Sequence, residues 1–513
     1  MNQPLPRRTA LRAAAVLVVG SVGVTTSACT SDGSGDGRPD DGGVDGDADD
    51  RSTSLVVAAD QRAGVVDVQA SPHEQSLAAS RALLDSAGVV VVASADTDVA
   101  AAAELAATHA LPVLVAGPGL AAELDRLGVD TVVQVGAGEP EDVDASPGLV
   151  VVDGSDAAAV ASLAGLPAHP KAHGAVVLLQ PGGDLPPAVA ATADAAGADR
   201  ITVQHGDVRA TPDAVGPVRA GTGPILALGS DLGPTEQVAQ RVRTVRRASE
   251  LPGGGFLPFP GRRMIALYGH PQTKALGMLG EQRPEQAVRR ARALAKEYSA
   301  LSREPVIPAF ELIASVASQA AGDDGSYSRR TPIEVLLPWV EAAEEAGIYV
   351  VIDLQPGRTD FLTQAKFYEP LLRRPFVGLA LDPEWRLEPD QKHLRQIGSV
   401  GVDEVNRVGS WLAALVREHD LPAKVLTLHQ FRPSMITDRE RLDTTLDEIQ
   451  WLVHADGQGR QGDKQSTWKR LRRDLPDGVW LGWKNFEDED LPMLTPEQTM
   501  AQVSPTPWFI SYQ

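Results

Sequence analysis

The sequence predicts an α/β protein made of a doubly wound parallel-sheet module followed by a (β/α)8 TIM-type barrel. Two observations predict this fold class. Short runs of β-branched residues alternate with helical patterns in the first half of the chain, which is typical of parallel strands buried on both faces. In the second half, eight apolar strand candidates follow one another over about 250 residues, the usual length of such a barrel.

The first residues have the architecture of an export signal. A basic front precedes an apolar stretch at 13–24, and small residues then lead to Cys29. The tetrapeptide at 26–29, Thr-Ser-Ala-Cys, resembles the lipobox of bacterial lipoproteins, and this resemblance implies cleavage before Cys29 and lipidation of its thiol. We therefore expect a signal peptide at 1–28 and a lipid anchor on the outer face of the cell membrane. An ordinary cleaved signal is the alternative, and either general or twin-arginine export fits.

The segment that follows is strongly acidic. Residues 31–50 contain eight aspartates and one arginine, within a chain whose formal net charge is -21. A segment with so little to bury and so much like charge predicts a disordered tether at 29–54. The acidic balance also argues against nucleic acid as a partner, because phosphates require basic neutralisation. Cys29 is the single cysteine, which excludes an intramolecular disulfide.

The Ala/Val-rich region at 55–250 predicts the parallel-sheet module. Its best-patterned part, 85–138, contains LPVLVAG and LAAELDRLGVDTVVQVGAG, and it resembles the cell-wall-binding repeat of Gram-positive surface proteins. This resemblance implies a wall polymer as the partner, whereas a scaffold without a ligand is the alternative. The glycines at 117–119 and 136–138 lack the spacing of a phosphate-binding loop, so no nucleotide cofactor is expected.

A Pro/Gly-rich stretch at 251–263 breaks the periodicity and predicts a linker to a barrel at 264–513. Amphipathic helical patterns separate the strand candidates of the barrel. The eight candidates are 264–270, 305–315, 347–355, 376–385, 423–431, 449–457, 478–486 and 507–513. Active sites of such barrels form at the carboxyl ends of the strands, where the long loops of this chain also lie.

Almost every predicted strand ends in a side chain that titrates or forms hydrogen bonds. A polar site built from these ends is the interpretation that explains all of them together. The candidates at the ends are His270, Glu311, Asp353, Gln355, Asp382, Glu384, Trp385, His429, Gln430, Asp456, Trp483, Lys484 and Tyr512.

The acid pair after the fourth strand carries the chemical prediction. Asp382 and Glu384 have the same parity along a strand, so their side chains are expected to share one face. Two close carboxylates raise the pKa of one of them, and we expect Glu384 to hold the raised pKa and act as an acid. With Glu311 and Asp353 on the two preceding strands, four carboxylates are expected to converge as the catalytic group.

The remaining candidates suit the binding of a sugar chain. Indole rings stack on sugar rings, and imidazole, amide and ammonium groups bind hydroxyls. We therefore predict glycosidic-bond hydrolysis on a wall or extracellular glycan. The predicted substrate-binding residues are His270, Gln355, Trp385, His429, Gln430, Asp456, Trp483, Lys484 and Tyr512.

The Asp-x-Glu at the end of a fourth barrel strand resembles that of chitinase-type glycoside hydrolases and of barrel-fold muramidases. The resemblance implies that Glu384 is the acid and that Asp382 is its partner. The earlier acids of the longer chitinase pattern are replaced here by Val377 and Ala380.

Two other functions remain open. The barrel could bind a glycan or solute without cleaving it, and substitution of Glu384 would separate this case from hydrolysis. A metal-dependent hydrolase or deacylase is the second, with possible ligands in His270, Glu311, Asp353, Asp382, His429 and Asp456. No His-x-His or His-Glu-x-x-His motif occurs, so no metal or other cofactor is expected.

Overall fold

A computed structural model describes residues 55–59, 62–138, 148–163 and 174–513 of the protein. These residues belong to one compact unit. The predicted signal peptide, the lipidation site Cys29 and the acidic tether lie outside the described residues and stay predictions. Within the described ranges, no helix is both long enough and apolar enough to cross a membrane.

The region before residue 251 alternates short strands with helices. Its described strands are β1 (Val56–Val57), β2 (Ala63–Val66), β3 (Leu84–Ser86), β4 (Val89–Ala93), β5 (Val113–Val115), β6 (Thr131–Val135), β7 (Val150–Asp153), β8 (Val176–Leu179), β9 (Asp199–Thr202) and β10 (Ile225–Leu228). Its described helices are α1 (Pro72–Leu83), α2 (Val99–His109), α3 (Leu120–Leu127), α4 (Ala157–Ala161), α5 (Pro187–Ala195), α6 (Pro212–Ala220) and α7 (Thr235–Arg247).

Eight of these strands form two four-stranded parallel sheets, which confirms the predicted parallel-sheet region. The strand orders are β5-β4-β6-β7 and β2-β10-β8-β9, while β1 and β3 pair antiparallel. Strand β2 is not among the predicted strands, because it is short and contains Gly64. The close approach of α1 explains this glycine, since an added Cβ would lie 2.6 Å from the Cβ of Ala82.

The region from residue 263 onward contains longer strands. They are β11 (Arg263–Gly269), β12 (Val306–Ala317), β13 (Ser328–Arg330), β14 (Tyr349–Leu354), β15 (Val377–Leu381), β16 (Val400–Gly401), β17 (Lys424–Gln430), β18 (Ile436–Thr437), β19 (Ile449–Ala455), β20 (Trp480–Asn485) and β21 (Phe509–Tyr512). The helices are α8 (Pro284–Ser299), α9 (Ile333–Ala346), α10 (Phe361–Phe367), α11 (Glu369–Leu372), α12 (Val402–Glu418), α13 (Gln461–Leu471) and α14 (Pro496–Gln502).

Eight of these strands close into an all-parallel barrel in the order β11-β12-β14-β15-β17-β19-β20-β21. The ring is closed because β21 pairs with β11, with Ala266 opposite Ser511. All eight predicted strands are confirmed as members of this barrel. Three short strands of this region lie outside the ring: β13 pairs antiparallel with β12, and β16 pairs with β18. Continuous apolar runs such as Val377–Leu381 are buried throughout, as expected for parallel strands.

Strand β15 is shorter than its sequence predicts. It ends at Leu381, and Pro383–Trp385 form one turn of 3-10 helix. Pro383 has no N–H to continue the ladder, and its fixed φ suits the first position of a helical turn. The parity argument for Asp382 and Glu384 is therefore wrong, because it requires an extended strand through residue 384.

The stretch predicted as a linker, 251–263, is packed against the barrel. Phe256 and Phe259 are fully buried, and the backbone of Phe259 exchanges hydrogen bonds of 2.6 and 2.7 Å with the amide group of Gln450. Nearby, Asp447 lies 2.8 Å from Arg209 and 2.7 Å from Arg241, two residues of the parallel-sheet region. These contacts hold that region at the amino-terminal end of β19, on the opposite side from the strand ends discussed next.

Candidate active site

Three buried carboxyl groups project from three neighbouring strands into the barrel. Glu311 lies on β12, Asp353 on β14, and Asp382 directly after β15. None of the three is more than 2% exposed. Because parallel strands present their carboxyl ends at one edge, these groups meet near the same mouth of the barrel. Three of the four carboxyl groups that were predicted to converge, Glu311, Asp353 and Asp382, are the buried ones, and their catalytic role stays a prediction.

His429 on β17 lies at the centre of this group. Its Nε2 is 2.8 Å from Oε1 of Glu311 and 4.0 Å from Oδ1 of Asp353, while its Nδ1 is 3.3 Å from Oδ2 of Asp456. The other carboxylate oxygen of Asp456 lies 3.2 Å from Nζ of Lys484. Acidic and basic groups therefore alternate across the barrel.

This alternation explains the charge states of its two central members. Burial alone would lower the pKa of His429, but Glu311 and then Asp456 raise it well above its ordinary value. Burial alone would likewise raise the pKa of Glu311, but His429 and His454 lower it. Glu311 is thus ionised and His429 is protonated at neutral pH, so the two form a buried ion pair.

Tyr268 on β11 links Lys484 to the carboxyl group of Asp353. The hydroxyl donates a hydrogen bond of 2.9 Å to Oδ2 of Asp353, and Nζ of Lys484 lies 3.4 Å from the centre of the tyrosine ring. An ammonium over an aromatic face is a favourable cation–π contact. Burial, followed by the charges of Asp353 and Asp382, raises the pKa of Tyr268 well above its ordinary value. The hydroxyl therefore remains a proton donor.

Asp353 and Asp382 respond to burial in the opposite way from Glu311. Burial raises the pKa of Asp353 to about 6, with a further increase from the charge of Glu311 that His429 opposes. Burial also raises the pKa of Asp382 well above its ordinary value, and the charges of Glu384 and Asp353 add to the effect. Glu384 is only partly buried, so it stands nearer to solvent than Asp382.

His454 on β19 belongs to the same cluster and was not predicted. Its Nδ1 is 3.8 Å from Oε1 of Glu311, its Nε2 is 3.1 Å from Oγ of Ser511, and its ring centre is 4.9 Å from that of His429. Burial lowers the pKa of His454 to about 3, so the ring is neutral. A neutral imidazole offers one lone pair and one N–H.

Several polar atoms inside this part of the barrel are buried without a hydrogen-bond partner. Among the described residues, they include Glu311 Oε2, Asp353 Oδ1, Asp382 Oδ1, Thr427 Oγ1 and His454 Nδ1. Buried polar atoms are almost always paired in native proteins, and leaving one unpaired costs about 1–3 kcal/mol. Their concentration at one place indicates a site that receives polar atoms from a ligand.

Three predicted binding residues lie at strand ends but outside this cluster. His270 accepts a hydrogen bond from the backbone of Gln272, and its Nε2 is 3.0 Å from Thr331. Its pKa falls to about 4 through burial and the charge of Arg329. Gln355 is tied to the β12–β13 hairpin through the backbone N–H of Ala317, at 3.0 Å. The Gln430 amide donates to the backbone carbonyls of the following turn, at 3.3 and 3.4 Å.

Three predicted aromatic residues are also separate from the cluster. Trp483 is 1% exposed and packs edge-to-face on Trp468 of α13, with ring centres 5.7 Å apart. The hydroxyl of Tyr512 lies 2.5 Å from that of Tyr298 on α8. Trp385 is partly exposed in its 3-10 turn and lies against His393, with ring centres 5.5 Å apart. Of these three, Trp385 is the one whose ring reaches solvent.

Strand alternation explains which candidates reach the interior. Adjacent residues of a strand point to opposite faces, so Lys484 and Trp483 cannot both face the lumen. The same rule places Ser511 inside and Tyr512 outside. It would also have identified Tyr268 and His454, which lie two residues before the predicted His270 and Asp456. The sequence therefore carries a signal for both residues, which is the two-residue alternation counted back from His270 and Asp456.

The fold and the site together define a class: an α/β protein whose closed parallel barrel encloses a buried centre of acidic, histidine, tyrosine and lysine side chains. No protein-family model matches the chain, and no curated protein matches it significantly.

Proposed function

We propose that the protein is a cell-envelope glycoside hydrolase whose barrel is of the (β/α)8 TIM type and whose first region is a doubly wound module. The observation that carries the proposal is the acid arrangement at the end of β15. Asp382 is buried with a raised pKa, and Glu384 stands close enough to influence it while remaining partly exposed. Glycosidic cleavage uses two carboxyl groups in different protonation states, and here the raised pKa belongs to Asp382 and not to Glu384, where the sequence predicted it.

In this proposal, Glu384 is the proton donor and Asp382 is its partner. Glu384 is partly exposed and can therefore approach the leaving oxygen of a bound glycan, whereas Asp382 is 2% exposed. The two carboxyl groups interact, because the charge of Glu384 adds to the raised pKa of Asp382. Trp385 follows Glu384 in the same turn and supplies an indole face at the rim.

The buried ion pair of Glu311 and His429 is linked to the acid pair through Asp353. Glu311, His429 and Asp353 interact across the lumen, and Tyr268 holds Asp353 by a hydrogen bond of 2.9 Å. Asp353 in turn contributes to the raised pKa of Asp382. The charge state of the acid pair thus depends on groups that a substrate would not need to touch.

The test is a substitution that removes the acid but keeps the shape of the side chain. Glu384→Gln should reduce the release of new reducing ends from purified wall glycan or chito-oligosaccharides by ~100- to 10,000-fold. Glu388→Gln is the matched control, because Glu388 lies in the same loop, is exposed and undergoes the same change of charge. Melting curves of both variants should match that of the wild type.

Two results would count against the proposal in different ways. Wild-type turnover in a folded Glu384→Gln protein would remove the catalytic assignment. Glycan binding by the wild type without any cleavage would favour the alternative, in which the barrel only binds a glycan or solute.

The location and the wall partner are proposed from the sequence. A lipid anchor at Cys29 would hold the protein on the outer face of the membrane, and the region at 55–250 would bind a wall polymer. Mass spectrometry of the mature protein should find acyl groups on Cys29; a free terminus downstream of it would contradict the anchor. The protein should sediment with purified cell walls at low and moderate salt, and recovery in the supernatant would contradict wall binding.

A further inference from the structure

A second cluster of side chains with donor atoms suited to a metal ion lies inside the barrel, apart from Asp382 and Glu384. Glu311, His429 and His454 come from three different strands, β12, β17 and β19, and all three are fully buried. One donor atom from each lies within 4.8 Å of the donor atoms of the other two. The three strands hold these side chains rigidly, because each is paired on both sides within the barrel.

We propose that Glu311, His429 and His454 bind one divalent transition-metal ion of the Zn²⁺ type inside the barrel. This inference does not rest on glycan hydrolysis: a barrel that only binds its ligand could hold the same ion.

The distances between the donor atoms are suitable for a tetrahedral ion. Nε2 of His429 lies 2.8 Å and Nδ1 of His454 lies 3.8 Å from the same oxygen, Oε1 of Glu311. Ligands at ~2.0–2.1 Å from a tetrahedral zinc ion are ~3.3 Å from one another, which falls between these two values. Small side-chain rotations therefore suffice to accommodate an ion at the centre of the three groups.

Several oxygen and nitrogen atoms of the cluster lack partners. Glu311 Oε2 and His454 Nδ1 are buried without a hydrogen bond, and so is Asp353 Oδ1, which lies 4.0 Å from Nε2 of His429. A metal ion would satisfy the first two directly. Asp353 is placed to supply a fourth oxygen, either to the ion or to a water molecule on it.

The second nitrogen of each histidine lies near another polar group. Nδ1 of His429 lies 3.3 Å from Asp456, and Nε2 of His454 lies 3.1 Å from Oγ of Ser511. Metal-binding histidines characteristically donate their other N–H to a carboxylate or a polar oxygen, which fixes the ring and directs the remaining lone pair to the ion. His454 therefore has the environment expected of a ligand, and His429 becomes a ligand when the ion displaces the proton that it holds against Glu311.

The donor set selects a class of metal. Two imidazoles and a carboxylate favour zinc and similar first-row ions, whereas calcium and magnesium prefer sites made of oxygen alone. The competing interpretation is an ion pair without metal, since His429 and Glu311 already lie at hydrogen-bond distance. That ion pair gives Glu311 Oε1 and His429 Nε2 a hydrogen-bond partner each. It leaves Glu311 Oε2 and His454 Nδ1 without one.

The test is metal binding by the purified full chain, measured without any substrate. After chelation and dialysis, the wild type should take up one equivalent of Zn²⁺ by calorimetry, and Co²⁺ should give the visible absorption of a tetrahedral ion; Mg²⁺ should not compete. His454→Gln should weaken Zn²⁺ binding at least ~100-fold, and Ser511→Ala, which removes a ring-positioning contact, ~10- to 100-fold. His270→Gln is the matched control and should bind as tightly as the wild type.

Thermal melting shows whether each variant is folded, so a loss of Zn²⁺ binding can be distinguished from a loss of folding. Zn²⁺ should raise the melting temperature of the wild type and of His270→Gln, because a ligand of the folded state stabilises it. It should raise that of Ser511→Ala only at higher concentration. A wild type that takes up no stoichiometric metal, or a folded His454→Gln that binds Zn²⁺ as tightly as the wild type, would overturn the proposal.

Discussion

A buried lysine at the amino-terminal end of the barrel gives the most direct test of how this structure controls protonation. Lys424 begins β17 and is fully buried. Its Nζ donates hydrogen bonds to the carbonyl oxygens of Arg374, at 2.8 Å, and of Val377, at 2.7 Å. Burial lowers the pKa of Lys424 to about 7. A neutral amine has two N–H groups, and two carbonyls are present to receive them.

The sign and size of the effect on stability follow from this pKa. An unfolded lysine has a pKa of ~10.4, so between pH 7 and pH 10 the unfolded chain binds a proton that the folded protein has released. Stability must then rise with pH, by up to ~1.4 kcal/mol per pH unit. Over this range the total is about 3–4 kcal/mol. Below pH 7 both states hold the proton, and this contribution becomes constant.

The perturbation is Lys424→Met, which keeps the length of the side chain and removes the titrating group. Urea unfolding of both proteins at pH 7, 8, 9 and 10 gives the difference between their unfolding free energies. The contributions of other titrating groups are the same in both proteins and cancel in this difference. Relative to Lys424→Met, the wild type should gain about 3–4 kcal/mol of unfolding free energy as the pH rises from 7 to 10. Lys469→Met is the control, because Lys469 is exposed and should give a difference that does not change with pH.

The absolute stability of Lys424→Met at one pH is a poor test. The variant removes the cost of deprotonation but leaves the carbonyls of Arg374 and Val377 unpaired, and the two effects are of similar size. The slope is decisive. Parallel pH profiles for the wild type and Lys424→Met would refute the reasoning, because they would mean that Lys424 keeps its ordinary pKa despite complete burial.

Three further predictions concern the site and its support. Asp382→Asn should stabilise the protein increasingly as the pH rises above about 4, because burial raises the pKa of Asp382 and ionisation then opposes folding; thermal melting from pH 4 to 8 measures this. Asp447→Ala should cost about 3 kcal/mol in urea unfolding, since it leaves the buried guanidinium of Arg209 with one partner fewer; an unchanged midpoint would contradict this. Trp483→Phe should lower the melting temperature but leave glycan affinity unchanged, because the indole packs on α13; a loss of affinity would place this residue in the site.

The barrel could be predicted from the sequence because its strands are long, apolar and regularly spaced. A run such as Val377–Leu381 is buried on both faces and cannot be mistaken for a loop. The region before residue 251 gave a weaker signal, since its strands are two to five residues long and β2 contains a glycine. The pairing of β2 with β10 joins segments about 160 residues apart, and no local pattern encodes such a contact.

The candidate site was predicted in part, for a geometrical reason. Position near the predicted strand ends identified Glu311, Asp353, Asp382 and His429 as neighbours, although Glu311 lies within β12 and not at its end. It did not distinguish inward from outward residues, which requires counting alternation from a known inward position. It also could not foresee that Pro383 would end β15 and turn the following residues into a 3-10 helix. The function assigned to Glu384 stays a prediction.

The buried carboxyl groups of the lumen divide into two halves with opposite behaviour. Burial acts on Glu311, Asp353 and Asp382 alike, but only Glu311 has a cation at 2.8 Å, and its pKa is lowered whereas those of the other two are raised. One side of the barrel therefore holds fixed charges in an ion pair, and the other holds protons. The residues of β15 that precede Asp382 are buried throughout, and a buried carboxyl group without a cation at hydrogen-bond distance retains its proton. The proposed acid, Glu384, lies beside Asp382 at the edge of the half that holds protons, and the proposed metal ion lies in the half that holds charge and imidazole. The glycan assay on Glu384→Gln and the zinc titration of His454→Gln therefore examine different halves, and either can fail while the other succeeds.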